Sequence, residues 1–80
     1  MEIKVLGSGC ARCQAVEQEV KAALAELGVA AEVTKVTEVS EIISYGVAMT
    51  PGLVINGKVR ACGRVPSREE IKRWISEERG

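Results

Sequence analysis

The cysteines of this chain are the residues best suited to chemistry. Cys10 and Cys13 are separated by Ala11 and Arg12 and follow the sequence Gly7-Ser8-Gly9. Two thiols in the first turn of a helix lie near unpaired backbone N–H groups and the positive end of the helix dipole, which favours the thiolate form. Thiolates attack disulfides and bind soft metal ions. The pair therefore indicates either thiol–disulfide exchange or metal binding.

The composition excludes most other catalytic arrangements. The 80 residues include no His, no Asp and no Phe. Without histidine, neither a Ser-His-Asp nor a Cys-His arrangement can be assembled. The glutamates are spread over what the sequence predicts to be exposed helix faces. Cysteine is therefore the one strong nucleophile available.

Charge is balanced along the chain. The 11 Lys and Arg residues match 11 acidic residues, and neither sign forms a long block, so we expect no nucleic-acid partner. The N-terminal stretch is not apolar enough for a signal peptide, and no segment approaches the ~20 apolar residues of a membrane span. We expect a cytoplasmic monomer without a membrane partner. In a reducing compartment, three cysteines favour redox cycling or metal binding over a structural disulfide.

Hydrophobic periodicity predicts the elements that position the pair. They are a strand over 2–6, a helix over 11–27, a parallel strand over 29–36, a helix over 38–45, a hairpin over 53–62 and a helix from 68 to about 78. Asn56-Gly57 favours a type I′ turn at the hairpin. Ser67 and Glu70 have the spacing of a capping box, which predicts the start of the last helix.

Two helices carry apolar residues that we expect to face the interior. In the short second helix, Thr37 is the predicted cap, and Val39, Ile42 and Ile43 are predicted to point inward. In the last helix, Trp74 lies on the same stripe as its apolar neighbours, which favours core packing over ligand stacking.

The order β-α-β-α-β-β-α now gives the cysteine pair a context. A strand, a Cys-x-x-Cys pair at a helix start and Thr50-Pro51 before a hairpin together resemble the thioredoxin superfamily. The closest likeness is to its small glutaredoxin-like members, the redox-active disulfide proteins of about this length. The resemblance covers nearly the whole chain as a single domain, 1–80. It implies an α/β, minimal thioredoxin-like fold, with a four-stranded mixed sheet and helices on both faces.

The resemblance also implies a site. Cys10 is expected to be exposed at the helix start, and Pro51 to be cis, with Thr50 and Pro51 facing the cysteines and Gly63 bordering a substrate groove. The chemistry of the pair makes Cys10 the nucleophile and Cys13 the resolving thiol, with Arg12 adding a positive charge that lowers the pKa of the Cys10 thiol.

The expected partners and cofactor follow from that chemistry. The substrates would be protein or small disulfides, and an upstream thiol reductase would return the electrons. No cofactor beyond the redox-active disulfide is expected, and no metal.

Two features depart from the family pattern. Ala11-Arg12 replaces the Gly-Pro of typical thioredoxins and the Pro-Tyr of typical glutaredoxins. Lys4 lies roughly where thioredoxins keep a buried acid, so another group would have to handle the proton of the resolving thiol.

Cys62 adds a third sulfur. Counting from the Asn56-Gly57 turn pairs Leu53 with Arg60 and places Cys62 opposite Pro51, near the rim of the site. One hypothesis is that Cys62 forms an alternative disulfide with Cys10 or joins a soft-metal site; the other is that it is a small buried hydrophobe. A loose cluster of arginines nearby would either steer an acidic partner or form a solvated edge: Arg60, Arg64 and Arg68.

Two other functions remain open. One is a soft-metal carrier for copper or zinc, because small copper chaperones also place Cys-x-x-Cys between a first strand and a helix. In their β-α-β-β-α-β order the hairpin follows the first helix, whereas here the Asn-Gly turn follows the second. The other is a noncatalytic protein-binding domain.

Overall fold

The computed structural model describes residues 1–7, 9 and 11–79; Ser8, Cys10 and Gly80 lie outside the described residues. The elements follow the predicted order β-α-β-α-β-β-α. Their bounds are Glu2–Leu6 (β1), Ala11–Leu27 (α1), Glu32–Val36 (β2), Val39–Ser44 (α2), Gly52–Ile55 (β3), Lys58–Cys62 (β4) and Arg68–Arg79 (α3). Only β2 begins clearly later than predicted. Within the described residues, no helix is long and apolar enough to cross a membrane.

The four strands form one mixed sheet in the order β2-β1-β3-β4. β1 pairs in parallel with β2, as a crossover through α1 requires, and antiparallel with β3. The predicted α/β class and four-stranded mixed sheet are therefore confirmed. Because β1 lies between two neighbours, the chain leaves the middle of the sheet at Leu6 and enters the segment that carries the cysteine pair.

Helices α1 and α3 cover one face of the sheet and bury the larger core. The residues of this cluster are Ile3, Val5, Val16, Val20, Ala23, Leu24, Leu53, Ile55, Ala61, Ile71, Trp74 and Ile75. Trp74 is part of it, as predicted. Burying a large aliphatic side chain contributes about 1.5–3 kcal/mol, so this face supplies most of the hydrophobic stabilisation.

The opposite face is covered by the short helix α2 and buries a smaller cluster, formed by Leu6, Val36, Ile42, Val47 and Val54. Tyr45 packs at its edge. Val39 and Ile43 were predicted to face inward, and this prediction is wrong, because they are 68% and 63% exposed. Ile42 in α2 and Tyr45 at its C-cap face the sheet. Val39 and Ile43 share another stripe of the helix, and this stripe is exposed to solvent.

The start of α2 also differs from the prediction. Glu38 is the N-cap residue, and no side chain caps the helix there. Thr37 is therefore not the cap. The end of α2 matches the prediction, because the N–H of Gly46 donates to the carbonyl of Ile43 at 2.8 Å and Gly46 adopts a positive φ.

The hairpin turn has the predicted geometry. Asn56 and Gly57 have φ angles of 50° and 81°, as a type I′ turn requires. The Asn56 side chain also accepts a hydrogen bond from the N–H of Glu2 at 2.9 Å, which ties the turn to the beginning of β1.

A bulge changes the register beyond the first two pairs of the hairpin. Val54 pairs with Val59, as counted from the turn, but Leu53 pairs with Ala61, which leaves Arg60 as the extra residue of β4. The predicted pairing of Leu53 with Arg60 is therefore wrong. Cys62 pairs with Gly52 and not with Pro51.

The capping box at the start of α3 is present as predicted. The N–H of Ser67 donates to Glu70 Oε1 at 3.0 Å, and the N–H of Glu70 donates to Ser67 Oγ at 3.2 Å. Arg64 binds both oxygens of the same carboxylate. The Arg64 hydrogen bonds, followed by those from Ser67, lower the pKa of Glu70 to about 2.

Candidate active site

The thiol pair lies where β1 leads into α1. Cys13 is in the first turn of α1 and is only 5% exposed. Cys10 lies outside the described residues, so the expected exposure of its thiol stays a prediction.

Gly7 forms the wall against which the Cys13 sulfur packs. A Cβ built at Gly7 would collide with Cys13 Sγ, and the same Cβ would lie 3.7 Å from the Cβ of Thr50. The N–H of Gly7 donates to the carbonyl of Val36 at 2.9 Å, which fixes the backbone there. A glycine is required at position 7 because the sulfur occupies the space of a side chain.

Thr50, Pro51 and Gly63 meet at one end of the sheet. The Thr50–Pro51 peptide bond is cis, as the resemblance implies, and Pro51 is buried. The carbonyl of Pro51 accepts a hydrogen bond from the N–H of Gly63 at 2.9 Å. Gly63 has a φ of 75°, a conformation in which a side chain is strained.

Arg12 connects the thiol-bearing helix to that glycine. Its guanidinium donates a hydrogen bond from Nη2 to the carbonyl of Gly63 at 2.9 Å, although the side chain is exposed. The sequence predicted a charge at Arg12 but not this bond. The sequence gives no signal for this bond, because Arg12 and Gly63 are far apart in the chain.

These contacts form a closed circuit, which we call the active-site ring. Its members are Gly7, Arg12, Cys13, Thr50, Pro51 and Gly63. Two of the predicted site residues are not in the ring. Cys10 is outside the described residues, and Cys62 lies beside the ring. Met49 was missed by the sequence reasoning. It is 66% exposed, and its side chain packs across Gly63, where an added Cβ would come within 3.2 Å of the Met49 Cβ.

Cys62 lies beside the ring but on the other side of the sheet. Side chains alternate along a strand, and Ala61 belongs to the core under α1 and α3, so Cys62 points toward the α2 face. The side chain is exposed, which contradicts the hypothesis of a buried hydrophobe. Within the described residues, no three metal-ligating side chains lie together. A bond between Cys62 and Cys10 involves a residue outside that set and stays a prediction.

Lys4, at the position of the family's buried acid, also faces α2. Its ammonium donates a hydrogen bond to the Tyr45 hydroxyl at 2.9 Å and lies over the Tyr45 ring, 5.6 Å from its centre. The hydrogen bond to Tyr45 raises the pKa of Lys4 above its usual value. Lys4 is therefore paired away from Cys13, whose neighbour in the sheet is Val5.

Lys35 is a charged residue close to Cys13. It pairs with Val5 across the parallel strands, and together with Cys13 it lines a cavity of about 10 Å³, whose other walls are Val5, Gly7, Gly9 and Gln14. Such a volume holds about one water molecule. The Lys35 ammonium lies 3.3 Å from Glu17 Oε1. The parallel register of β1 and β2 was a signal in the sequence from which this neighbour could have been found.

Comparison with known proteins agrees with this geometry. The family model described as "Thioredoxin domain" matches residues 1–76. A thioredoxin of Methanothermobacter thermautotrophicus is 42% identical over 76 residues, which cover 95% of this chain and 99% of that protein. A thioredoxin of Methanocaldococcus jannaschii is 43% identical over 70 residues, which cover 88% of this chain and 80% of that protein.

The chain belongs to the thioredoxin family. As a thioredoxin-family member it is a thiol–disulfide oxidoreductase. The position of the hairpin after α2 agrees with this assignment and differs from the strand order that the metal-carrier alternative requires.

Proposed function

We propose that this thiol–disulfide oxidoreductase uses Cys10 as nucleophile and Cys13 as resolving thiol, with the disulfide between them as its only redox group. The observation that carries the proposal is the placement of Cys13, which is buried in the first turn of α1 with its sulfur against Gly7 and next to Thr50. We expect a sulfur held there to be reached by Cys10, three residues earlier in the chain, and not by bulk solvent.

The first step forms a mixed disulfide. The Cys10 thiolate attacks one sulfur of a substrate disulfide, a bond forms between Cys10 and that sulfur, and the substrate's S–S bond breaks. The second substrate sulfur leaves as a thiolate and takes a proton from solvent. The cis Thr50–Pro51 segment presents backbone to an extended substrate segment beside the attacked sulfur, and Gly63 allows that segment to approach closely.

The second step releases the reduced substrate. Cys13 loses its proton to water, attacks the Cys10 sulfur and closes the Cys10–Cys13 disulfide, and the substrate sulfur leaves as a thiolate. Two electrons have then passed from the protein to the substrate. The reverse reaction with a dithiol donor reduces Cys10 and Cys13 again. Lys35 lines the same small cavity as Cys13, whereas Lys4 is bound to Tyr45 on the other face of the sheet.

The partners are disulfide-containing proteins or small disulfides on one side and a thiol reductase on the other. The basis for these partners is the chemistry of the two steps and the likeness to proteins named thioredoxin. A cytoplasmic monomer fits the same chemistry, because a reducing compartment keeps the pair ready to attack. Thr50, Pro51 and Gly63 bind substrate, and Arg12 and Cys62 modify the reaction.

The decisive experiment is a redox titration of the pair in glutathione or dithiothreitol buffers, with metal-free protein. We expect a reversible two-electron transition that persists in Cys62→Ser and is lost in Cys10→Ser. Cys13→Ser should accumulate the mixed disulfide, detected by mass spectrometry. If the protein forms no disulfide and binds one soft metal ion tightly, the roles given to the two cysteines are wrong.

A further inference from the structure

Arg12 differs from the arginines near it in its partners. Arg64 is bound to Glu70 and Arg68 to Glu19 and Glu26. Within the described part of the chain, Arg12 makes no ion pair, and its one side-chain hydrogen bond is to a backbone carbonyl. That bond uses one of the five N–H donors of a guanidinium. The other donors and the full positive charge remain available to a ligand.

The position of this unpaired charge matters. Arg12 follows the predicted nucleophile by two residues, and its bond to Gly63 spans the ring from the thiol-bearing helix to the loop after β4. Among the ring members, Arg12 is the only charged side chain. A disulfide that docks between the nucleophile and Pro51 therefore meets one fixed cation and no carboxylate of the ring.

We infer that Arg12 selects disulfide substrates that carry a carboxylate next to the attacked cysteine. This inference rests on the proposed function of the site. The bond to Gly63 holds the guanidinium in place before the substrate arrives, which lowers the entropy lost when it binds a carboxylate. The planar guanidinium can bind both carboxylate oxygens and Gly63 at once, whereas a lysine ammonium is a single point charge.

The arginines of the predicted basic cluster do not take this role. Arg60, Arg64 and Arg68 are each paired with glutamates, and each pairing joins two parts of the fold. Their charge is therefore already compensated by these glutamates. The charge that an acidic substrate meets is that of Arg12.

The test compares three peptide disulfides that are identical except for one residue beside the cysteine, which is Glu, Gln or Lys. With the wild-type protein, kcat/KM should be about fivefold higher for Glu than for Gln, lowest for Lys, and the preference should shrink in about 0.5 M salt. Arg12→Gln should make kcat/KM equal for the Glu and Gln peptides, and Arg12→Lys should keep part of the preference for Glu. Arg73→Gln is the matched control, because Arg73 is exposed on α3 and should leave the ratio unchanged.

A further experiment measures the reduction of glutathione disulfide by wild type and by Arg12→Gln. It distinguishes the carboxylate of a small disulfide from that of a protein. A Glu-peptide preference without a matching effect of Arg12→Gln on glutathione disulfide assigns the selection to acidic protein segments; an equal effect on both assigns it to any nearby carboxylate. Equal kcat/KM for the Glu, Gln and Lys peptides would overturn the inference while leaving the proposed function intact. A uniform loss of rate in Arg12→Gln, with the ratio preserved, would also overturn it. Absence of turnover with every disulfide would instead contradict the proposed function.

Discussion

The two faces of the sheet are covered in very different ways. Among the described residues, helices α1 and α3 close one face over a continuous core of twelve buried side chains, whereas α2 closes the other over five. The thiol-bearing turn belongs to the first face, and the exposed Val39, Ile43 and Met49 belong to or border the second. Most of the buried core and Cys13 therefore lie on one face, whereas the other face leaves apolar side chains exposed.

The largest effect should come from the core under α1 and α3. Ile71→Ala removes a fully buried side chain and should lower the free energy of unfolding by about 2–5 kcal/mol, because the cavity cannot collapse between two helices and the sheet. Urea denaturation followed by circular dichroism measures it. If Ile71→Ala cost less free energy of unfolding than Ile42→Ala in α2, the core under α1 and α3 would not be the more stabilising of the two.

Apart from the two cysteines of the pair, Gly7 should be the position at which activity is most sensitive. Gly7→Ala places a Cβ in the space of Cys13 Sγ, so the resolving sulfur must move, and kcat/KM should fall about 10–100-fold. Insulin disulfide reduction measures the rate. Gly9→Ala is the control, since a Cβ there meets nothing within 4 Å although the backbone is strained. Equal losses in the two variants would mean that strain in the loop, and not the collision with sulfur, sets the rate.

A smaller loss of stability is expected under α2. Ile42→Ala should lower the free energy of unfolding by about 1–2 kcal/mol, because Ile42 is buried in a small cluster with solvent nearby. The same denaturation experiment measures it. Insulin reduction should stay close to wild type, since Ile42 is not in the ring. A large loss of activity would show that packing under α2 affects the active site.

Acid should weaken the start of α3. The pKa of Glu70 is lowered from 4.5 to about 2 by Arg64 and Ser67, so its carboxylate stabilises the folded state above pH 4.5 and loses this effect as pH falls through 4.5 toward 2. Wild type should therefore lose more stability over that range than Glu70→Gln. Thermal unfolding at pH 7, 4 and about 2.5 checks this. Parallel pH profiles for the two proteins would show that the carboxylate does not act in this way.

The smallest effect should come from the open stripe of α2. Val39→Ser with Ile43→Ser changes two exposed side chains, and the free energy of unfolding should shift by no more than about 0.5 kcal/mol per site. Denaturation with urea measures the shift. A loss as large as that of Ile42→Ala would show that the stripe is packed in solution.

Local sequence rules predicted much of the fold. The hairpin turn at Asn56-Gly57 and the capping box of Ser67 and Glu70 depend only on the local backbone. Both features were therefore predicted correctly. The bulge at Arg60 was missed because register beyond the turn depends on how β4 packs and on the ion pairs of Arg60 with α3. The orientation of α2 was missed because it has apolar residues on more than one stripe, and only the sheet selects between them.

The site divides in the same way. Cys10 and Cys13 are proposed as the reactive pair from their spacing, and Thr50, Pro51 and Gly63 are proposed as substrate contacts from the family resemblance. The bond from Arg12 to Gly63 and the packing of Met49 on Gly63 join residues far apart in the chain. Such contacts arise only from the tertiary structure, so composition and periodicity contain no trace of them.

The central position of β1 affects how the molecule opens. Edge strands and short helices exchange their amide protons through local openings that leave the rest folded, whereas central strands exchange mainly through global unfolding. Here β2 and β4 are the edges, and β1 is hydrogen-bonded on both sides. The strand that leads into the thiol pair is therefore among the last parts of the backbone to become accessible to solvent, and transient fraying at the sheet edges leaves the resolving cysteine in its place.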